Sequence, residues 1–458
     1  MTTAGHHLGR AGAEPWSAVP AGVRRRVVFL VADILAAAVS ARDRPEIAAA
    51  RRGLLAGSAG PSTVIGHPGG AAPAVAALVN ALPVAAEQLQ DGHRQARGHP
   101  ASHVVPAVLA AAEAVGAPGP EILAAVLTGC EVGIRVGDAM GGTPPGVHDI
   151  GTWGVVGAAA GVARLAGGGA AADIAAAVDL AAALAGRPDA TTVFSGADGQ
   201  HLLLGLAAQS ALVAGTSAAA GLRAPAGTLE RHFLPAVGAH PDPARLTAGL
   251  PGSGWGRHRI LDGYIKRHPT CAHLHGVNDA VEDLLAGGRV DPDRIGTVVV
   301  RTYGAAAAFS DPAPANDLAA RFSIPYTVAV ALVSGRLDAG SFSPRWMADP
   351  AVRALAARVQ VRHDPALDPG YPAGRPAVVT VGKRDGTVAE ASASRPRGDG
   401  PDALDHPGVA DKPFNLLAAA VGPDQARAVL DAVESLERAG AAPLGRVLRG
   451  LPGAGAGR

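Results

Sequence analysis

Between positions 158 and 186 the chain reads AAAGVARLAGGGAAADIAAAVDLAAALAG, almost wholly alanine, glycine and short aliphatic residues. Side chains this small let helix backbones approach closely but bury little area each, so a core made from them requires many helices packed together. An all-helical body is the natural consequence. The same bias runs through the chain, where aromatic residues make up only 3% and 61 glycines and 37 prolines punctuate the apolar runs. With 458 residues there is ample surface to bury in one large or two medium domains. A formal net charge of +1 beside 48% hydrophobic residues excludes charge-driven disorder, and equally a nucleic-acid binder that relies on a strong basic field.

Two cysteines, Cys130 and Cys271, cannot make a disulfide framework and fit a reducing compartment. Arg24, Arg25 and Arg26 before the apolar run Val27 to Ala41 imitate a secretory signal, but Asp33 inside the run and the long polar lead argue against one. Leu202 to Leu222 carries no charge and is long enough to span a bilayer, yet its Gly, Ala, Ser, Thr and Gln content fits a buried helix better. The expectation is a soluble, cytoplasmic protein with no membrane and no nucleic-acid partner.

From Val23 to about Leu222 apolar residues recur at helical spacing. Pro118-Gly119-Pro120-Glu121 opens one helix, with Ile122, Val126 and Cys130 on a stripe, and Gly154 to Leu165 and Ala170 to Leu184 read as tightly packed helices. The stretch GLPGSGWGRH at 249–258 lacks the Gly-Lys-Ser/Thr ending of a phosphate loop and reads as a turn. After about Asp262 the character changes. Ile295 to Tyr303, Arg358 to His363 and Pro376 to Val381 read as strands, Lys383 to Gly386 as a hairpin turn, and Leu318 to Leu337 as a helix interrupted at Pro325. Helical spacing returns from Pro413 to about Leu448, so the C-terminal segment is expected to complete the first domain.

Three polar segments break the apolar pattern. Gln88 to Pro100 holds Asp91, His93, Arg94, Arg97 and His99 in a glycine-broken loop, where a small anionic ligand finds donors and a proton carrier. Pro144 to Gly154 holds His148 before a helix start, whose free N–H groups favour a carboxylate. Lys266 to His275 lies at the change of character; Lys266 and Arg267 suit a carboxylate clamp. If that segment is helical, Cys271 and His275 share a face, and with His268 they imitate metal-ligand spacing, but no Cys-x-x-Cys or His-Glu-x-x-His pattern reinforces it. No metal is expected.

These segments, in order HPASHVVPAVLAAAEAVG, GVHDIGTWGVVGAAAGVARLAG and KRHPTCAHLH, together with AARFSIPYTVAVALVSGRL at 319–337 and DKPFNLL at 411–417, resemble the MmgE/PrpD family over most of the chain. That family contains 2-methylcitrate dehydratase, cis-aconitate decarboxylase and an iminodisuccinate epimerase. The resemblance implies a mainly α fold: a large all-helical domain from both chain ends, residues 1–262 and 404–458, and a smaller α+β lid domain, 263–403. It also implies a homodimer, a small-molecule carboxylate substrate, and a site between the domains that uses neither metal nor organic cofactor.

Carried over residue by residue, His99, His148 and Lys266 match retained family positions. Gln88 stands where many members have Asp, Gly92 where they have Thr, Gln200 near a usual Lys and Cys271 near a usual His of the decarboxylases; the family tyrosine aligns around Ala307. Cis-aconitate decarboxylation as such is therefore disfavoured. The shared chemistry is proton movement at a carbon next to a carboxylate. His99 and His148 are the expected proton carriers and Lys266 the electrostatic stabiliser, with Asp91, His93, Gln200, Arg267 and Cys271 as substrate-binding candidates. Dehydration of a small hydroxy-carboxylate is the simplest reaction. An epimerase or isomerase, a specialised biosynthetic enzyme, or a binding protein that lost catalysis are the alternatives.

Overall fold

The computed structural model describes residues 3–288 and 291–453. The extreme positions of the expected helical domain, 1–2 and 454–458, lie outside the described residues. Ten helices open the chain: α1 (Ala4–Gly12), α2 (Ala21–Ala41), α3 (Pro45–Leu55), α4 (Pro73–Ala81), α5 (Pro100–Val115), α6 (Gly119–Met140), α7 (Trp153–Ala166), α8 (Ala171–Leu184), α9 (Ala190–Phe194) and α10 (Gly199–Ala219). Of these α7 is the hub, buried from Trp153 to Leu165 and packed on α5, α6, α8 and α10. Glycine makes that density possible. A Cβ on Gly157 would lie 2.5 Å from the Gly129 carbonyl oxygen of α6, closer than any real contact allows.

One described helix, α10, is long and apolar enough to cross a membrane by length and composition. Its Leu204, Ala208, Ala211 and Gly215 are buried, and the helix packs on α4, α5, α7 and α8. Leu202, Leu206 and Val213 remain exposed. Residues 249–258 form turns and bends, as their glycines suggest.

The second part of the chain carries a four-stranded sheet of β1 (Ile295–Thr302), β2 (Val359–His363), β3 (Ala377–Lys383) and β4 (Val388–Ala393), in the order β2-β1-β3-β4. The β1–β2 pair is parallel and the other two are antiparallel. Val298 stands between Val359 and Val381, and Val300 between Val361 and Val379. Val298, Val300, Val379 and Val381 share a core with Val277 and Val281 of α11 (His275–Ala286) and Val328 and Leu332 of α12 (Ile324–Ser334). Strand β4 returns antiparallel to β3 across the turn at 383–386, as a hairpin there implies, although its small and charged residues show no apolar alternation to mark its bounds. The helix expected over 318–337 with an interruption at Pro325 is instead broken earlier, into Asp317–Ala320 and α12, whose N-cap Ser323 accepts from the Tyr326 N–H. Pro325 lies in the first turn of α12, where its missing N–H removes no helical bond.

The chain then runs into α13 (Lys412–Val421), α14 (Pro423–Glu434) and α15 (Ala441–Arg449). Helices α13 and α14 pack on α2, and α15 on α5. Leu417, Val429, Val433, Leu444 and Leu448 belong to the same core as Leu8, Val31 and Val105. At the base of α13, Lys412 Nζ stands 2.7 Å from Asp33 Oδ1 and donates to the Leu89 carbonyl at 2.5 Å. The acidic residue inside the apolar run of α2 thus has a buried cation to meet. Burial still raises the Asp33 carboxyl above its ordinary pKa, with Lys412 opposing that shift.

Candidate active site

A cavity of about 100 Å³ opens where the polar loops of the helical part meet the second part of the chain. His99, His148, Lys266 and Cys271 line it together with Arg375 and Asp149. The three polar segments singled out in the sequence therefore converge on one space.

His99 is the N-cap residue of α5, and its Nδ1 donates to the Asp91 carbonyl at 2.6 Å. That bond fixes the tautomer and leaves Nε2 as the basic nitrogen. Burial, with Lys266 nearby, pushes the His99 pKa down to about 3, so the ring is neutral. The Asp91 carboxylate is a correction to the sequence reading. It caps α5, accepting from the Ala101 N–H at 2.9 Å and the Ser102 N–H at 3.1 Å, and does not line the cavity. His93 also points away, with Nε2 bonded to the Arg259 carbonyl at 3.0 Å.

His148 is held through its backbone N–H, which donates to Pro188 at 2.9 Å. Its Nδ1 accepts from the Ile150 N–H at 3.1 Å and lies 3.2 Å from Asp149 Oδ1. Burial lowers the His148 pKa and the Asp149 carboxylate works against that. The expected helix N-terminus is absent from the wall: α7 begins at Trp153, and none of its residues lines the cavity.

Lys266 is almost fully buried and donates to the Gln88 side-chain oxygen at 3.1 Å. Burial brings its pKa down to about 7, with the Cys271 thiol opposing and the Lys412 charge assisting. Gln88 occupies a left-handed conformation, φ 53°, rare for a residue with a side chain. Gly92 is explained by Tyr264, with which it forms a two-residue ladder. A Cβ on Gly92 would lie 2.1 Å from the Tyr264 ring, so the threonine common in the family has no room beside this tyrosine.

Arg375 was not anticipated. Its guanidinium lies 4.5 Å over the Tyr264 ring, and its buried Nε has no partner. The neighbouring tyrosines and Asp399 raise its pKa against desolvation, so it remains charged. His273 was also missed in this role; its Nδ1 lies 2.6 Å from the Tyr303 hydroxyl, and burial holds its pKa at about 3. Ala307 does not line the cavity; Tyr303 stands behind His273, and Tyr371 lies in the wall. Two further candidates are displaced. Arg267 pairs with Glu282 and stands 3.5 Å from Asp279, while Gln200 is buried at the start of α10 without a partner. Neither lines the cavity.

Cys271 precedes a short 3-10 turn and α11 begins only at His275, so the two do not share a helical face. Among the described residues, two groups bring potential metal ligands together: Glu46, Asp198 and His201, and His268, Asp279 and Glu282. Neither group lines the cavity, and Arg267 and Arg397 already serve the carboxylates of the second.

Fold and site together define a mainly α protein with a smaller mixed part and a cavity lined by ionisable side chains from both. Residues 13–239 match the MmgE/PrpD N-terminal domain and 268–438 the MmgE/PrpD C-terminal domain, and the chain belongs to the MmgE/PrpD family. A cis-aconitate decarboxylase of Aspergillus terreus (strain NIH 2624 / FGSC A1156) is 26% identical over 455 residues, covering 92% of this chain and 90% of the relative. A 2-methylcitrate dehydratase of Cupriavidus necator is 36% identical over 127 residues, 26% of this chain and 25% of the relative. The family and these relatives support a lyase-type function.

Proposed function

We propose that the chain dehydrates a small hydroxy-carboxylate by proton abstraction next to the carboxylate, using side chains alone. The observation that carries this reading is a buried lysine with only a neutral side-chain partner in the same cavity as a histidine whose Nδ1 is held by a backbone carbonyl. At neutral pH such a pair offers an ammonium donor and an imidazole acceptor at once.

The substrate carboxylate pairs with Arg375, the permanently charged buried donor of the wall. His99 Nε2 takes the proton from the adjacent carbon. The electron pair moves toward the carboxylate, where Arg375 stabilises the added charge, and then forms the double bond as the bond to the β-hydroxyl breaks. The Lys266 ammonium gives its proton to the departing oxygen, which leaves as water. The arriving carboxylate also raises the proton affinity of His99, because a negative charge in a desolvated cavity favours the imidazolium. Electrostatic stabilisation of this kind contributes on the order of 2–4 kcal/mol per donor.

Incubation in deuterated water tests the reading. Dehydration produces an alkene absorbing in the ultraviolet, and its loss in Lys266→Ala and His99→Ala supports the assignment. Epimerisation is a second reading, favoured by His148 beside Asp149 as another proton carrier on a separate loop. It gives deuterium in the starting skeleton and no alkene.

A further inference from the structure

Aromatic side chains are scarce in this chain: four tryptophans, four tyrosines and seven phenylalanines. Six of them stand at one cavity. Phe194, Tyr264, Phe322 and Tyr371 line it, while Phe309 and Tyr303 pack directly behind. The Phe194 ring centroid lies 5.8 Å from those of both Phe309 and Phe322, and 5.1 Å from His148. Tyr371 stacks on Tyr303 at 4.8 Å with planes 13° apart. Phe194 closes the short helix α9 and is 46% exposed, so part of its ring is left uncovered. A core built of alanine and valine elsewhere does not call for this concentration to pack.

The charge of the wall tells the same story. Arg94 is already paired with Asp399, and Arg97 is exposed. Lys266 is held by the Gln88 oxygen and serves as the proton donor of the reaction above. Arg375 is then the buried cation left for a ligand, and Asp149, whose Oδ2 is buried without a partner, repels additional anionic groups. With Lys266 committed to the departing oxygen, a tricarboxylate would bring two charges for which the wall holds no further buried cation free of an acidic partner, and would place them against phenyl rings.

Resting on the lyase reading above, we infer that the substrate carries one carboxylate, held at Arg375, and a flat apolar or aryl substituent, seated on Phe194, Phe322 and Tyr371. Aromatic stacking and burial of one such ring account for the preference, since these contacts favour offset or edge-on rings 4.5–7 Å apart.

Calorimetric titration of the full chain with trans-cinnamate and with tricarballylate tests the inference, and 3-hydroxy-3-phenylpropanoate serves as the turnover probe. Cinnamate is expected to bind at least about tenfold tighter than tricarballylate. Phe194→Ala, a change at a half-exposed position, is expected to weaken cinnamate about tenfold and leave tricarballylate unchanged. Arg375→Gln weakens both. Tighter tricarballylate binding, no cinnamate binding at millimolar concentration, or cinnamate binding indifferent to Phe194→Ala each overturns the inference. The two readings separate cleanly. Phe194-dependent cinnamate binding without alkene hydration or dehydration keeps the substrate class and removes the lyase, whereas Lys266-dependent turnover of a tricarboxylate keeps the lyase and removes the substrate class.

Discussion

Lys266 and Gln88 lie 178 positions apart in the chain, and the lysine Nζ donates to the glutamine oxygen at 3.1 Å. A neutral partner satisfies the ammonium without compensating its charge, so burial prevails and the pKa falls to about 7. The unfolded chain keeps lysine's ordinary value of 10.5, and therefore binds more protons than the folded one between about pH 7 and 10.5. Stability from this site rises with pH across that window. Lys266→Met is expected to raise the melting temperature most at about pH 6–7, with the gain shrinking toward pH 10, as calorimetry at several pH values will show.

The same pair governs activity. Lys266→Ala is expected to cost roughly 30- to 1000-fold in rate. If the ammonium is the proton donor, kcat/KM falls as pH rises through about 7. Gln88→Asp places a carboxylate beside Nζ and moves that falling limb up by roughly 1–3 pH units. A limb that stays in place in this variant assigns it to another group.

Gly92 and Tyr264 form a second coupled pair, since the ring fills the space a Cβ would need. Gly92→Ala is expected to destabilise by about 1–3 kcal/mol and to slow the reaction, because Tyr264 precedes Lys266 by two residues. Tyr264→Ala in the Gly92→Ala background opens the space again. A double-mutant cycle by denaturant unfolding is expected to show a coupling energy of about 0.5–3 kcal/mol.

What the sequence displays and what it hides follow from how each residue acts. His99, His148 and Lys266 were legible because each interrupts an apolar helical pattern with a polar, proline- or glycine-broken stretch, and polar loops among buried helices are where ligands meet donors. Arg375 was not legible: an arginine between glycine and proline looks like any surface loop, and only the path of the mixed domain carries it over Tyr264. Asp91 was seen as ionisable but given the wrong task. It caps N–H groups ten and eleven residues away, across a loop, where no local capping spacing signals the bond. The break before α12 was misplaced for a local reason, since Pro325 marks a helix start and the preceding Ser323 is its cap.

The Asp33–Lys412 contact joins α2 to α13, segments at opposite ends of the sequence, directly beneath the Leu89 carbonyl. Lys412→Met leaves a buried carboxylate unpaired and is expected to cost about 3–5 kcal/mol. Asp33→Asn together with Lys412→Met removes both charges and is expected to recover much of that loss. Urea unfolding of the two single variants and the double variant measures it. Because Lys412 also supports the backbone one residue after Gln88, the double variant should fold yet lose activity through a misplaced loop, with kcat affected more than thermal stability.

We propose that the homodimer implied by the family resemblance forms across α10. Leu202, Leu206 and Val213 are exposed on a helix that carries no Asp, Glu, Lys or Arg over its whole length, Gly199–Ala219. A second copy laid antiparallel across it meets no like charge and covers apolar area, which is the condition for a self-complementary contact. Leu206→Glu places two like charges across such a contact and is expected to convert the dimer to monomer in light scattering after size exclusion. The site of this substitution is exposed, so the melting curve of the monomer reports whether the fold survives without its partner. A wild-type chain that elutes and scatters as a monomer at micromolar concentration would remove the dimer and leave this apolar stripe for another partner.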